Sequence, residues 1–168
     1  TWYDRLKKEE TQSTKDRLTQ TIGSNSQLGK HSPHHLLTPT FGDAMKNSSL
    51  SGSKVISIAL KPESAILMAG HLADGCFWFD TSSGNWITSS AYSESLPNWV
   101  NNFNNKSRPD ELISQDWDLY LTNSNYANCN PDDQKFEKGF YGDFKKFPYK
   151  MKLMQKASLK KDYEILLT

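Results

Sequence analysis

The sequence predicts an α/β fold: a small mixed sheet with flanking helices and long irregular loops, an α+β arrangement remaining open. Three observations carry that prediction. A β-branched run, KVISIAL from Lys54, is followed at once by a Pro-started helical segment and then by a second apolar run, CFWFD from Cys76. Strand, helix, strand in that order is the signature of a βαβ unit. CFWFD and WITSSAY are separated by TSSGN, which reads as a hairpin with Gly84 in its turn. Past Leu121 the periodic signals fade into Asn, Asp, Gly and Pro alternating with aromatic residues.

The elements follow in order. Residues 1–30 are polar, with Trp2 and Tyr3 as anchors and a Ser/Asn/Gly-rich loop from Gly23 to Lys30. In HSPHHLL, Ser32 suits a helix N-cap and Pro33 the first helical position, where a missing N–H costs nothing. Leu37, Phe41, Ala44 and Met45 then fall on one helical face. Pro39 lies inside that pattern and predicts a kink or a break, because it removes the bond to the His35 carbonyl. KVISIAL reads as a buried strand. Pro62 starts a helix over ESAILMA, and Gly70 ends it. Ser95 and Pro97 open a short helix carrying Leu96, Trp99, Val100 and Phe103 toward a core. Pro109 opens another over DELIS. The closing segment from Met151 reads as a short helix with Tyr163 and Leu166 toward the interior.

At 168 residues the expected organisation is one domain over 1–168. It divides into a polar segment 1–30, an α/β core 31–120 and an irregular aromatic-rich segment 121–168. The chain is only 36% hydrophobic, yet 12% aromatic, and rings of that size argue for a packed core over disorder. Mean hydropathy is −0.72 and no apolar stretch approaches the ~18 residues of a membrane span. With a net charge of +1 and interspersed signs, no nucleic-acid surface is expected. Cys76 and Cys129 set no disulfide framework, and Cys76 reads as a buried free thiol.

Few residues suggest chemistry. His31, His34 and His35 cluster, and His31 and His35 have a ligand-like spacing, but no Cys, Asp or Glu follows at a convincing distance. They read as solvent-facing histidines at a helix start. His71 follows a helix-ending glycine, where a cation favours the helix dipole. The pairs Glu9–Glu10 and Asp132–Asp133 read as solvated acids. There is no nucleophile elbow, P-loop or Cys–His arrangement. Lys61 stands out, because the end of a strand in an α/β sheet is where ligands bind.

The stretches KVISIALKPESAILMAGHLADGCFWFD, GNWITSSAY and LPNWVNNFN together resemble the middle of the flavobacterial-type single-chain zinc alkaline phosphatases. That family lies in the type I phosphodiesterase and nucleotide pyrophosphatase superfamily. TWYDR, HSPHHLLTPTFGDAM, NCNPDD and FPYKM extend the resemblance along nearly the whole chain. It implies an internal piece, an insertion or cap portion building part of the substrate cleft of a phosphoester hydrolase. The family's nucleophile and metal ligands have no counterpart here. The piece is therefore expected to be inactive alone, with two zinc ions implied only for a full-length parent. The same resemblance implies a phosphoester substrate, packing on the catalytic core of the same polypeptide, and a periplasmic or secreted location. It places Lys61 on the lysine of the family's K-x-R element, a phosphate contact, while Glu63 occupies the Arg position. A guanidinium clamps phosphate through two hydrogen bonds, whereas a carboxylate repels a dianion. The competing readings are a free-standing binding module gripping a partner through Phe136 to Tyr149, and an independent metalloenzyme built on the histidine cluster.

Overall fold

The computed structural model describes residues 2–6, 8–48, 52–132, 134–136, 138–139, 144–157 and 163–167. They form two compact units, Thr1–Lys106 and Ser107–Thr168.

The first unit opens with an antiparallel pair, β1 (Trp2–Asp4) and β2 (Glu9–Thr11). A second sheet has the order β3-β6-β5-β4, from β3 (Thr21–Ile22), β6 (Asn85–Ser89), β5 (Gly75–Asp80) and β4 (Ile56–Ala59). The βαβ unit is present: β4 runs parallel to β5, and α2 (Pro62–Ala69) connects them. The hairpin is present too, with β5 antiparallel to β6 and Gly84 in the turn. The three N-terminal strands carry no apolar alternation long enough to announce them.

The burial of KVISIAL differs from the expectation. Within β4, Ile56 and Ile58 are each about half exposed (52% and 53%), because the strand is at the sheet edge and one face lacks a cover. The fully buried strand is β5, every residue of which is buried. Its Cys76 and Trp78 pack with Ala65, Ile66 and Ala69 of α2 and Ile87 of β6. On the opposite face Phe77 packs with Leu96 and Val100. The latter pair comes from α3 (Asn98–Asn104) and the residues before it. Trp99 and Phe103 remain half exposed, lining an apolar hollow of about 200 Å³ with Ile58, Phe77, Trp86 and Val100.

The helix expected from Ser32 does not form there. Ser32 is buried and donates its hydroxyl to Asp16 Oδ2 at 2.6 Å. The break foreseen at Pro39 is complete, and α1 spans Phe41–Ser48. Its start is a capping box: the Thr40 hydroxyl accepts the Asp43 N–H at 3.3 Å, and Asp43 Oδ2 accepts the Thr40 N–H at 2.9 Å. The expected apolar face of Leu37, Phe41, Ala44 and Met45 is exposed, and Leu36 packs on the core instead. The helix packs through Gly42, where a Cβ would lie 2.4 Å from the Ala69 carbonyl oxygen. Only glycine allows α1 and the end of α2 to approach so closely. Gly70 ends α2 at φ 75, and a Cβ there would meet Asp43 Oδ2 at 2.1 Å.

In the second unit, α4 (Arg108–Ser114) and α5 (Met151–Ala157) meet around Ile113, Tyr149, Met151, Met154 and Ile165. Ile165 is the buried residue of the final turn, Tyr163–Leu167, while the expected Tyr163 and Leu166 are only partly buried. Trp117 and Tyr149 exchange two backbone hydrogen bonds, at 2.9 and 2.7 Å. Their rings and that of Phe147 are within 5.6 Å of one another. Within the irregular segment, the rings of Phe147 and Tyr149 hold one another and Trp117, whereas Phe136 is exposed. Phe140 and Tyr141 lie outside the described residues.

Candidate functional site

The turn from β4 into α2 positions the residue with the sharpest expectation. Lys61 is extended (φ −116, ψ 143) and is the N-cap of α2. Its carbonyl accepts the Ala65 N–H at 3.2 Å, so the backbone is fixed by the helix. Its side chain is exposed and makes no hydrogen bond or ion pair with another described residue. Pro62 starts the helix by presetting φ and giving up an N–H with no partner in the first turn. Glu63 follows in that turn, partly buried, where a carboxylate favours the helix dipole. It too has no hydrogen-bond or ion-pair partner among the described residues. A free ammonium at the carboxyl end of a parallel strand is placed to meet an anion.

The histidines separate. His31 is buried, its Nδ1 2.9 Å from the Thr14 hydroxyl and its ring edge-on to Trp78 at 6.1 Å. This corrects the solvent-facing expectation: the strand-like bridge between Lys15 and His31 folds the ring inward. Burial pushes its pKa down, Glu63 opposing that and Lys15 adding to it. His34 and His35 are exposed, with ring centroids 5.1 Å apart. No group of three or more His, Cys, Asp or Glu among the described residues can hold a metal ion. His71 does sit just past α2, but its neighbour is a carboxylate, with Nδ1 3.7 Å from Asp43 Oδ2.

The remaining acids are structural anchors, and most were not singled out by the sequence. Asp43 Oδ1 accepts the N–H groups of His71 and Leu72 at 2.8 and 2.9 Å, tying the start of α1 to the end of α2. Burial raises its pKa, but hydrogen bonds from Thr40, Leu72 and His71 outweigh that and hold it low. The local signal was available in Thr40-x-x-Asp43. Asp80 is inaccessible and accepts hydroxyls from Ser24, Ser82 and Ser83 at 2.6, 2.6 and 2.7 Å. Burial again opposes the charge, and the serine hydrogen bonds keep its pKa low. Asp74 accepts the Val55 N–H and pairs with Lys46 and Lys54, which lowers its pKa. These partners are distant in sequence and gave no local signal. Glu9 pairs with Arg17, and Asp132 accepts the Phe147 N–H. Asp133 lies outside the described residues.

Cys76 is buried and Cys129 exposed, both as free thiols. Burial pushes the Cys76 thiol up to about 12, so it is no nucleophile near neutral pH. No helix among the described residues is long and apolar enough to cross a membrane.

No family model matches the chain. Individual proteins do. Alkaline phosphatase PafA of Elizabethkingia meningoseptica is 37% identical over 166 residues, 97% of this chain and 29% of that protein. Alkaline phosphatase PhoV of Synechococcus elongatus is 35% identical over 141 residues, 84% of this chain and 26% of its own length. A calcium-transporting ATPase of Myroides odoratus is 35% identical over 153 residues, 91% and 28% respectively. The crystal structure of wild-type PafA superposes with a TM-score of 0.81 at 36% identity, covering 98% of this chain and 31% of that one. A second PafA structure carries four substitutions, two of them at a lysine and at an arginine two positions later. The chain is thus related along its length to alkaline phosphatases, and it spans under a third of the length of the curated relatives it matches.

Proposed function

We propose that this alkaline-phosphatase-like chain forms the substrate-cleft, or cap, part of a zinc-dependent phosphoester hydrolase, with Lys61 as a phosphate contact. The observation that carries the reading is Lys61 itself: an ammonium with no hydrogen-bond or ion-pair partner among the described residues, where β4 ends and α2 begins. A charged donor held ready contributes more to transition-state binding in a closed site than in water. The substituted PafA structure carries replacements at a lysine and at an arginine two positions later, the spacing of Lys61 and Glu63, which supports the reading.

Glu63 sets the substrate. Where the resembling family has a cation, this chain has a carboxylate, and a dianionic monoester meets repulsion there. A diester, with one negative charge, suffers less. The reading therefore extends to phosphodiesters and nucleotide pyrophosphates as substrates, in a periplasmic or secreted protein.

The described residues do not fit the two zinc ions that the resemblance implies, since no ligand group is present among them. When bound elsewhere in such an enzyme, zinc activates the attacking and leaving oxygens. This chain's own residues do something different: they present one cation, exclude a second and shape the approach. On that reading the 168 residues turn nothing over alone.

A chimera tests this. Residues 1–168 replace the matching segment of PafA, and p-nitrophenyl phosphate and bis-p-nitrophenyl phosphate are supplied with zinc. The expected result is no hydrolysis by the isolated chain and hydrolysis by the chimera. Lys61→Ala lowers the chimera's rate by about 100-fold, the scale of removing one electrostatic donor. Glu63→Arg raises the monoester-to-diester ratio. Zinc-dependent turnover by the isolated chain overturns the proposal. It would favour the reading of an independent metalloenzyme on the histidine cluster.

The alternative is a free-standing interaction module. Phe136 is 77% exposed and favours it, as exposed aromatics are enriched at interfaces. Phe147 and Tyr149 weigh against it, because they pack within their own unit. A native protein that ends at Thr168 and captures a partner through Phe136 would favour this second reading.

A further inference from the structure

We propose that the outer edge of β4 is completed by an added strand that is apolar on both faces. That strand comes from the part of a longer phosphatase-like polypeptide lying outside residues 1–168. β4 closes one side of the four-stranded sheet, and no described strand pairs with its outer edge. Such an edge presents a row of backbone N–H and C=O groups, which proteins blunt with charge, proline or brevity. The opposite edge follows that rule, since β3 has only two residues, Thr21–Ile22. β4 does not: Ile56, Ser57, Ile58, Ala59 and the following Leu60 include no charge and no proline.

Both faces of β4 open onto apolar hollows. On one face Ile56, Ile58 and Leu60 are each about half exposed, and Ile58 walls the hollow of about 200 Å³ with Trp86, Trp99 and Phe103. On the other face the Ser57 hydroxyl donates to the Ala65 carbonyl of α2 at 2.9 Å, and Ala59 packs against the core under that helix. A second hollow, of about 260 Å³, is lined by Ser57, by Phe41 and Met45 of α1 and by Met68 of α2. Those three apolar side chains are exposed as well. Successive side chains of a strand point to opposite faces. One strand laid along β4 therefore sends apolar side chains into both hollows while its backbone pairs with the open edge.

Two observations choose the source of the strand. This chain covers 31% of the PafA chain at a TM-score of 0.81, which leaves over two thirds of that relative outside the matched fold. Charge disfavours a second copy. Antiparallel pairing of β4 with itself, Ile56 opposite Ala59, sets Lys61 opposite Lys54 at both ends, and like charges across a strand pair repel. Asp74 does not remove that repulsion, because it divides one charge between Lys46 and Lys54. The added strand rests on the reading of the chain as one part of a longer hydrolase, and not on Lys61. Its consequence is that β4 is fixed to the catalytic body with Lys61 at its carboxyl end.

The test is amide hydrogen exchange, read by mass spectrometry on the isolated chain and on the chimera with PafA. Peptides spanning Ile56–Leu60 are expected to exchange at least about tenfold more slowly in the chimera, while those of β5 are protected in both. Equal exchange of Ile56–Leu60 in the two proteins overturns the proposal. Protection that rises with the concentration of the isolated chain assigns the edge to a second copy and overturns it too. Two substitutions probe the hollows at exposed positions: Ile58→Lys introduces the charge with which edges are blunted, and Phe41→Asp charges the helix side. Each is expected to leave the urea midpoint of the isolated chain in place and to lower the melting temperature of the chimera by about 5 °C. A chimera that neither substitution destabilises refutes a strand seated on both faces. If the chimera does not fold, wild-type PafA gives the same reading, and fast exchange of its segment matching Ile56–Leu60 overturns the proposal. A chimera with a protected β4 whose rate Lys61→Ala leaves unchanged supports the strand and removes the phosphate-contact reading. A rate that depends on Lys61 beside an unprotected β4 removes the strand alone.

Discussion

β4 and β5 are neighbours in one sheet, parallel and joined by a single helix, yet they serve opposite ends. β5 has a strand on each side and a packed layer on each face: α2 covers Cys76 and Trp78, and Leu96 and Val100 cover Phe77. β4 has one neighbour, and Ile56 and Ile58 face outward half exposed. Its composition is as apolar as that of β5. The position in the strand order separates them, since a central strand buries both faces and an edge strand need not. Stability is concentrated on β5, and β4 delivers Lys61 to the surface at its carboxyl end.

The comparison breaks most visibly at Trp78. Trp78→Ala removes a fully buried ring and is expected to cost about 3–5 kcal/mol, read as a fall in the urea midpoint. A loss under about 1 kcal/mol would mean that β5 is not the stabilising strand. A smaller effect is expected at the end of the same strand. Asp80→Asn disrupts hydrogen bonds to a buried carboxylate and is expected to cost about 2 kcal/mol near neutral pH. The sign with pH follows from the lowered folded pKa. The unfolded chain protonates first, so the Asp80 contribution is complete above the ordinary carboxylate range and is lost as pH falls through the lower folded value. Urea midpoints from pH 7 down to 3 should therefore converge for wild type and Asp80→Asn toward the acid end. The smallest effect is expected on β4. Ile58→Thr keeps a β-branched residue on an exposed face and should change stability by no more than about 0.5 kcal/mol. A cost several times larger in thermal melts would show that the outer face of β4 is covered in solution.

Much of the fold was legible because the signals are local. Pro62 and Gly70 bracket α2, Gly84 marks the hairpin turn, and Pro97 and Pro109 stand at the starts of α3 and α4. Each acts through its own φ and ψ or a missing N–H, so no distant partner is needed. The helix assigned to Ser32 failed because a distant partner and a later local start both competed with it. The Ser32 hydroxyl binds Asp16, 16 residues away, and the Thr40–Asp43 capping box starts the helix later. At the candidate site, Lys61 and Glu63 could be named from the sequence, but that neither has a hydrogen-bond or ion-pair partner among the described residues could not.

By itself the sequence determined the order of the central elements, the turns that join them and the identity of the cation at the end of β4. Its residues also carried the resemblance to alkaline phosphatases. Only the tertiary structure decided that β4 lies at an edge, that His31 is enclosed while His34 and His35 are not, and that Asp43, Asp74 and Asp80 anchor segments far apart in the chain. The reason is physical. Backbone conformation is set by near neighbours, whereas burial and charge state depend on which surfaces meet, and those surfaces come from residues tens of positions apart.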